Sequence, residues 1–128
     1  MIILDTSFLI DYFRGVPTTK SLIEGENVAV TTITYHEIMT GVKRKKAKRE
    51  ERFFKNFFSN VHILDFDVNA AEESSNIANR LMAIGRNVNA IDILIGGIAV
   101  ASGIQRVATR DEDFGQIGGI ADIEVLNY

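Results

Sequence analysis

The sequence predicts an α/β fold: a three-layer α/β/α sandwich around a mostly parallel sheet of about five strands. Short runs rich in valine and isoleucine alternate with longer segments of helical character. Strands that alternate with helices need crossover connections, which put helices on both faces of a parallel sheet. The 128 residues contain no internal repeat, linker or low-complexity tract, so one domain spanning residues 1–128 suffices. Such a domain can bury a core without disulfides or a structural metal.

Each element follows in order. "MIIL" reads as a short buried strand, and "SFLIDYF" after it as a helix. Pro17, the single proline, marks a short turn. "NVAV" is the second strand. The segment "TYHEIMTGVKRKKAKREERFFKNFF" is long enough for two helices before the third strand, "VHIL". "VNAAEESSNIANRLMAIG" and "AIDILIGGIAVASG" are helices, each closed by a glycine suited to a helix C-terminus. "QRVAT" and "IEVL" complete the sheet.

Composition narrows the function classes. With 46% hydrophobic and 24% charged residues the chain is an ordinary globular one, and disorder is excluded. It has no cysteine, which excludes disulfides, thiolate metal sites and a cysteine nucleophile. Asp5 interrupts the opening apolar run and no basic residue precedes it, unlike a signal peptide. The longest uncharged stretch, Ile93 to Gln105, is shorter than the roughly 20 residues of a membrane span. A cytoplasmic protein is expected. The net charge is -3, yet half of the 14 Lys and Arg residues fall between Lys43 and Arg52, leaving an acidic remainder.

Acids stand where ligands gather in such sheets, outside the carboxyl ends of the strands. Asp5 ends the first strand, and Asp111 and Asp113 follow the fourth. Glu37 lies near the start of the helix after the second strand, and Asp92 near the start of the helix before the fourth. If these converge, each pair of charges about 5 Å apart costs roughly 3 kcal/mol at an effective dielectric near 20. Arg110 can offset part of that, and a hard divalent cation, Mg²⁺ or Mn²⁺, suits an all-oxygen site best. Such a cation activates water and stabilises charge on a phosphoryl oxygen, which points to phosphodiester hydrolysis.

Taken singly, each acid also has a plain structural reading. Asp5 can cap the helix beginning near Thr6. Glu37 can complete a Thr-x-x-Glu capping box from Thr34. Asp92 suits a helix N-terminus, and Asp111 and Asp113 suit a turn. What favours function at Asp92 is the almost wholly apolar "ILIGGIAVA" after it, which puts its carboxylate at the entrance to the core.

Four segments together, "ILDTSFLIDYF", "TTITYHEIMTG", "NAIDILIGGIAVASG" and "VATRDEDF", resemble the landmarks of the PIN-domain ribonucleases, in particular the VapC toxins of toxin–antitoxin pairs. The resemblance spans essentially the whole chain. It implies a metal-dependent endoribonuclease whose catalytic and metal-binding acids are Asp5, Glu37, Asp92 and Asp111, with one or two Mg²⁺ or Mn²⁺ ions. Asp113 is then an auxiliary acid, while Thr6, Ser7 and Thr109 orient carboxylates or water. It further implies products with a 5′ phosphate and a 3′ hydroxyl, a homodimer, and a VapB-type antitoxin that wraps the helical region after the second strand. His36 and His62 are read as structural or exposed.

The basic run, placed on a helix beside the aromatic "FFKNFF", is either a solvated face or an arm contacting RNA phosphates through Lys43, Arg44, Lys45 and Lys46. Two rivals are a receiver-like phosphoacceptor domain and a non-catalytic RNA- or partner-binding module whose acids only cap helices. The receiver reading is weakened by Thr6 after Asp5 and by the absence of a lysine in "EVLNY".

Overall fold

The computed structural model describes residues 1–128. Five strands, β1 (Ile2–Leu4), β2 (Val28–Thr31), β3 (His62–Leu64), β4 (Arg106–Ala108) and β5 (Glu124–Leu126), form one sheet in the order β3-β2-β1-β4-β5. Every neighbouring pair is parallel. Seven helices connect them: α1 (Thr6–Phe13), α2 (Pro17–Ile23), α3 (Thr32–Arg44), α4 (Lys48–Ser59), α5 (Val68–Ala83), α6 (Ala90–Ser102) and α7 (Asp113–Gly118).

The three layers follow from the two-residue period of a strand. Ile2 and Leu4 face one way, into a buried cluster with Phe8, Leu9, Ile38, Met39 and Phe58 from α1, α3 and α4. Between them Ile3 faces the other way, joining Ile77, Leu81, Ile95, Phe114 and Ile117 from α5, α6 and α7. A strand buried on both faces must read as continuous apolar sequence, which is why "MIIL" shows no polar alternation.

Side chains set the helix starts. Asp5 accepts from the Phe8 N–H at 2.8 Å, Asp67 from that of Ala70 at 2.9 Å, and Asn89 from that of Ile91 at 2.8 Å. Gly85 and Gly103, both at φ +69°, follow α5 and α6 in the left-handed conformation expected of C-terminal glycines. Three local expectations are corrected and one helix is added. Pro17 does not mark a turn but opens α2, at a helix position whose N–H needs no partner. The six-residue α7, too short to display a period, was not foreseen. Thr34 caps nothing: it lies inside α3 and donates its N–H at 3.2 Å to Thr31, the true cap, so no capping box joins it to Glu37. The basic run does not lie on one helix. It crosses the end of α3, a turn in which Lys46 adopts φ 54°, and the start of α4.

The strand order positions the site. From β1 the chain steps outward to β2 and β3, then returns to lay β4 on the other side of β1. At such a switch point the connections diverge above and below the sheet and leave a crevice at the strands' carboxyl ends. Leu4 pairs with Ala108, so the next residues out are Asp5 and Thr109.

Candidate active site

Asp5 continues β1 and its N–H donates to the Ala108 carbonyl at 3.2 Å, fixing it beside β4. Its carboxylate accepts three hydrogen bonds. Oδ1 takes the Phe8 N–H and the Ser7 hydroxyl, each at 2.8 Å, and Oδ2 takes the Thr109 hydroxyl. Both hydroxyls in turn accept backbone N–H groups: Ser7 Oγ that of Arg110 at 3.2 Å, and Thr109 Oγ1 that of Asp111 at 2.9 Å. A carboxylate has about four acceptor sites, so Asp5 caps α1 and still keeps one free.

Asp92, Asp111 and Asp113 each bring a carboxylate oxygen to within 4.8 Å of the others. Asp113 N–H donates to Asp111 Oδ1 at 2.9 Å, which ties α7 to the β4 end. Asp92 sits in the first turn of α6 with 6% of its surface exposed, and its Oδ2 is buried with no hydrogen-bond partner. It is not the cap of α6, because Asn89 fills that place. A buried charged acceptor without a donor is costly, typically several kcal/mol, so it needs a cation or a proton.

In the absence of a cation, the proton wins. Burial first, then a hydrogen bond that the protonated carboxyl makes to Asp111, and then the charges of Asp111, Asp5 and Asp113, push the Asp92 carboxyl up to about 8. Burial also raises Asp5, against the three donors that hold it down. The helix N-terminus favours an ionised Asp92, but desolvation and like charge outweigh it. The folded state therefore retains a proton that the unfolded chain releases near the ordinary value of 3.8. Stability linked to that proton is complete below the ordinary value and is lost as pH rises through about 8. Measured in EDTA, the melting temperature is expected to fall between about pH 5 and pH 8.5. A melting temperature that climbs through this window would show that Asp92 is ionised without help.

Glu37, half-buried on α3, lies outside the tight triad. Its Oε1 accepts from Thr6 Oγ1, which is also 3.1 Å from Thr34 Oγ1, so Thr6 links Glu37 to the residue after Asp5. Thr6 and Glu37 line one end of a groove of about 430 Å³ between α1, α3 and α4, whose other walls include Lys45, Phe53 and Phe54. Lys43, Arg44, Lys45 and Lys46 are all exposed, as are His36 and His62. Arg110, expected to offset the acids, instead pairs with Asp11 at 3.4 Å. Asp11 and its partner Tyr128 were not foreseen as neighbours of the site. The available signal was a lone acid within the otherwise apolar "FLIDYF".

The triad adds to its spacing the chemistry of a hard-cation site: oxygen donors only, one of them buried and unpartnered. Comparisons with known proteins identify relatives of the whole chain. The tRNA(fMet)-specific endonuclease VapC of Shigella flexneri is 26% identical over 122 residues, covering 91% of this chain and 92% of that protein. Ribonuclease VapC5 of Mycobacterium tuberculosis is 28% identical over 127 residues, covering 97% and 93% respectively. Among solved structures, DNA-bound VapBC from Salmonella typhimurium superposes with a TM-score of 0.83 at 26% identity, covering 98% of this chain and 96% of that one. The sheet of five parallel strands is matched by the family comparison, in which a model of the PIN domain covers residues 2–120: the chain belongs to the PIN domain family.

Proposed function

We propose that this chain is a Mg²⁺- or Mn²⁺-dependent endoribonuclease, a single catalytic domain acting as the toxin of a toxin–antitoxin pair. The observation that carries the reading is the Asp92 carboxylate, which has one oxygen within 4.8 Å of oxygens from Asp111 and Asp113 and whose Oδ2 is buried without a hydrogen-bond partner. Asp92, Asp111 and Asp113 would hold the cation, with the remaining acceptor site of Asp5 and the carboxylate of Glu37 beside them. When bound, the cation supplies positive charge against the carboxylates and Lewis acidity toward a phosphoryl oxygen.

The protein's own groups do the orienting. Ser7 and Thr109 fix both oxygens of Asp5 while anchoring the chain that carries Asp111. Thr6 fixes Glu37. Lys43, Arg44, Lys45 and Lys46 would draw the RNA backbone toward an otherwise acidic crevice, and Lys45 shares a groove with Thr6 and Glu37. We assign the same groove, with Phe53 half exposed at its margin, to the antitoxin, and read the free toxin as a cytoplasmic homodimer. Both curated relatives carry ribonuclease names, and the solved neighbours include toxin–antitoxin complexes, which supports the assignment. No helix is long and apolar enough to cross a membrane.

The module in which acids serve only as caps accounts for Asp5 but not for Asp92, whose cap role belongs to Asn89. Incubation of the purified protein with a broad RNA panel decides the matter. Cleavage with Mg²⁺ or Mn²⁺ that EDTA abolishes, leaving 5′ phosphates, is the expected result. Intact RNA with either ion, together with no melting response to Mn²⁺, would leave the non-catalytic module standing.

A further inference from the structure

Asp11 is a buried acid that the proposed chemistry does not use. It sits on α1 with its side chain 8% exposed, and its Oδ2 receives two groups from distant parts of the chain. The Tyr128 hydroxyl donates to it at 2.6 Å and lies 3.3 Å from the Ser7 carbonyl. The Nε of Arg110 stands 3.4 Å away, while the Arg110 side chain remains 58% exposed. Arg110 falls between Thr109 and Asp111, and its own N–H is held by Ser7.

An arginine has five N–H donors arranged as a planar fork. Here a buried carboxylate faces the Nε edge, and the terminal NH₂ pair makes no hydrogen bond to the protein. A guanidinium paired through Nε keeps its terminal NH₂ groups for a bidentate phosphate contact, and the exposure of the Arg110 side chain leaves them open to solvent. We infer that Arg110 is a phosphate-binding residue for the RNA strand beside the scissile bond, and that Asp11 and Tyr128 are positioning residues that orient it. The inference rests on the nuclease reading for the identity of the nucleic acid. Tyr128 delocalises the Asp11 charge through its hydrogen bond, so the ion pair does not cancel the pull of Arg110 on a phosphate.

The test measures fluorescence anisotropy of a 5′-labelled, mixed-sequence RNA of about 20 nucleotides with Mg²⁺, in an Asp92→Asn background that leaves it intact. Arg110→Gln is expected to weaken binding about tenfold and to reduce the slope of log affinity against log salt by about 0.7, the value for one phosphate on a single strand. Arg110→Lys should keep the slope and recover only part of the affinity, because the charge remains without the fork. Tyr128→Phe, a mild change should Asp11→Asn fold poorly, is expected to lower affinity severalfold at unchanged slope. An Arg110→Gln protein with parental affinity and slope, or a parent with no affinity for RNA, overturns the proposal. Parental affinity in both Asp11→Asn and Tyr128→Phe removes their positioning role. Cleavage by the protein with Asp92 intact is scored separately, so loss of the nuclease reading and loss of this contact are distinguishable.

Discussion

Replacing Asp92 with asparagine is expected to raise the melting temperature of the metal-free protein by several degrees while reducing Mn²⁺-dependent RNA cleavage roughly 100-fold or more. The two effects have one origin. Asp92 Oδ2 is buried without a donor, and the carboxyl is pushed up to about 8 by burial and by Asp111. Above that pH the apo protein carries an uncompensated charge in its core, and below it holds a proton that limits cation binding. Asparagine removes the charge and offers an amide donor to Asp111. Relief of one unsatisfied buried charge is worth on the order of 1–3 kcal/mol, which in a domain of this size is several degrees.

The same substitution removes the most enclosed of the three proposed cation ligands, so Mn²⁺ should stabilise the parent and not the variant. At ten times its dissociation constant, one bound ion contributes about 1.4 kcal/mol to the parent. The variant should also lose the decline of melting temperature with pH in EDTA, because the proton responsible is gone. Melting curves of both proteins in EDTA and in Mn²⁺, with cleavage assayed in parallel, separate the possibilities. A variant less stable than the parent and equally responsive to Mn²⁺ would mean that Asp92 is a packing residue and that the cation, if any, binds elsewhere.

Legibility from the sequence followed the range of the interactions involved. The strands are short and the central β1 is buried on both faces, so its apolar run is legible, and the strand ends of a parallel sheet single out Asp5 and Asp111, whereas Asp92 is singled out by the apolar helix that follows it. Local pattern misled where it had two meanings. "TYHE" has the letters of a capping box, but β2 ends at Thr31 and the cap falls there, which frees Glu37 to meet Thr6. The family resemblance makes Asp113 only an auxiliary acid, yet it opens α7, a helix too short to leave a period in the sequence, and its carboxylate lies with those of Asp92 and Asp111. Pairings across great sequence distance, such as Tyr128 with Asp11, leave no periodic trace and were beyond reach.

The second large effect is expected at Gly97 on α6, the helix that carries Asp92 in its first turn. A Cβ added there would stand 2.6 Å from the Ala70 carbonyl oxygen and from Ser74 Cβ, and 2.8 Å from the Ser74 nitrogen. Two of these atoms are backbone of α5, which cannot turn aside as a side chain does. Alanine gains about 1 kcal/mol over glycine in helix propensity, whereas forcing two packed helices apart costs about 3 kcal/mol, so the clash wins. Gly97→Ala is therefore expected to lower the melting temperature by several degrees. Gly96→Ala is the control on the same helix: its Cβ would meet only side chains, with Ile117 Cγ2 nearest at 3.2 Å, and a smaller loss is expected. Because α6 carries Asp92 in its first turn, displacement of the helix should also weaken the stabilisation by Mn²⁺ in Gly97→Ala more than in Gly96→Ala. If Gly97→Ala instead melts above the parent, the α5–α6 contact is looser than described, and the burial that gives Asp92 its unusual proton affinity loses its structural support.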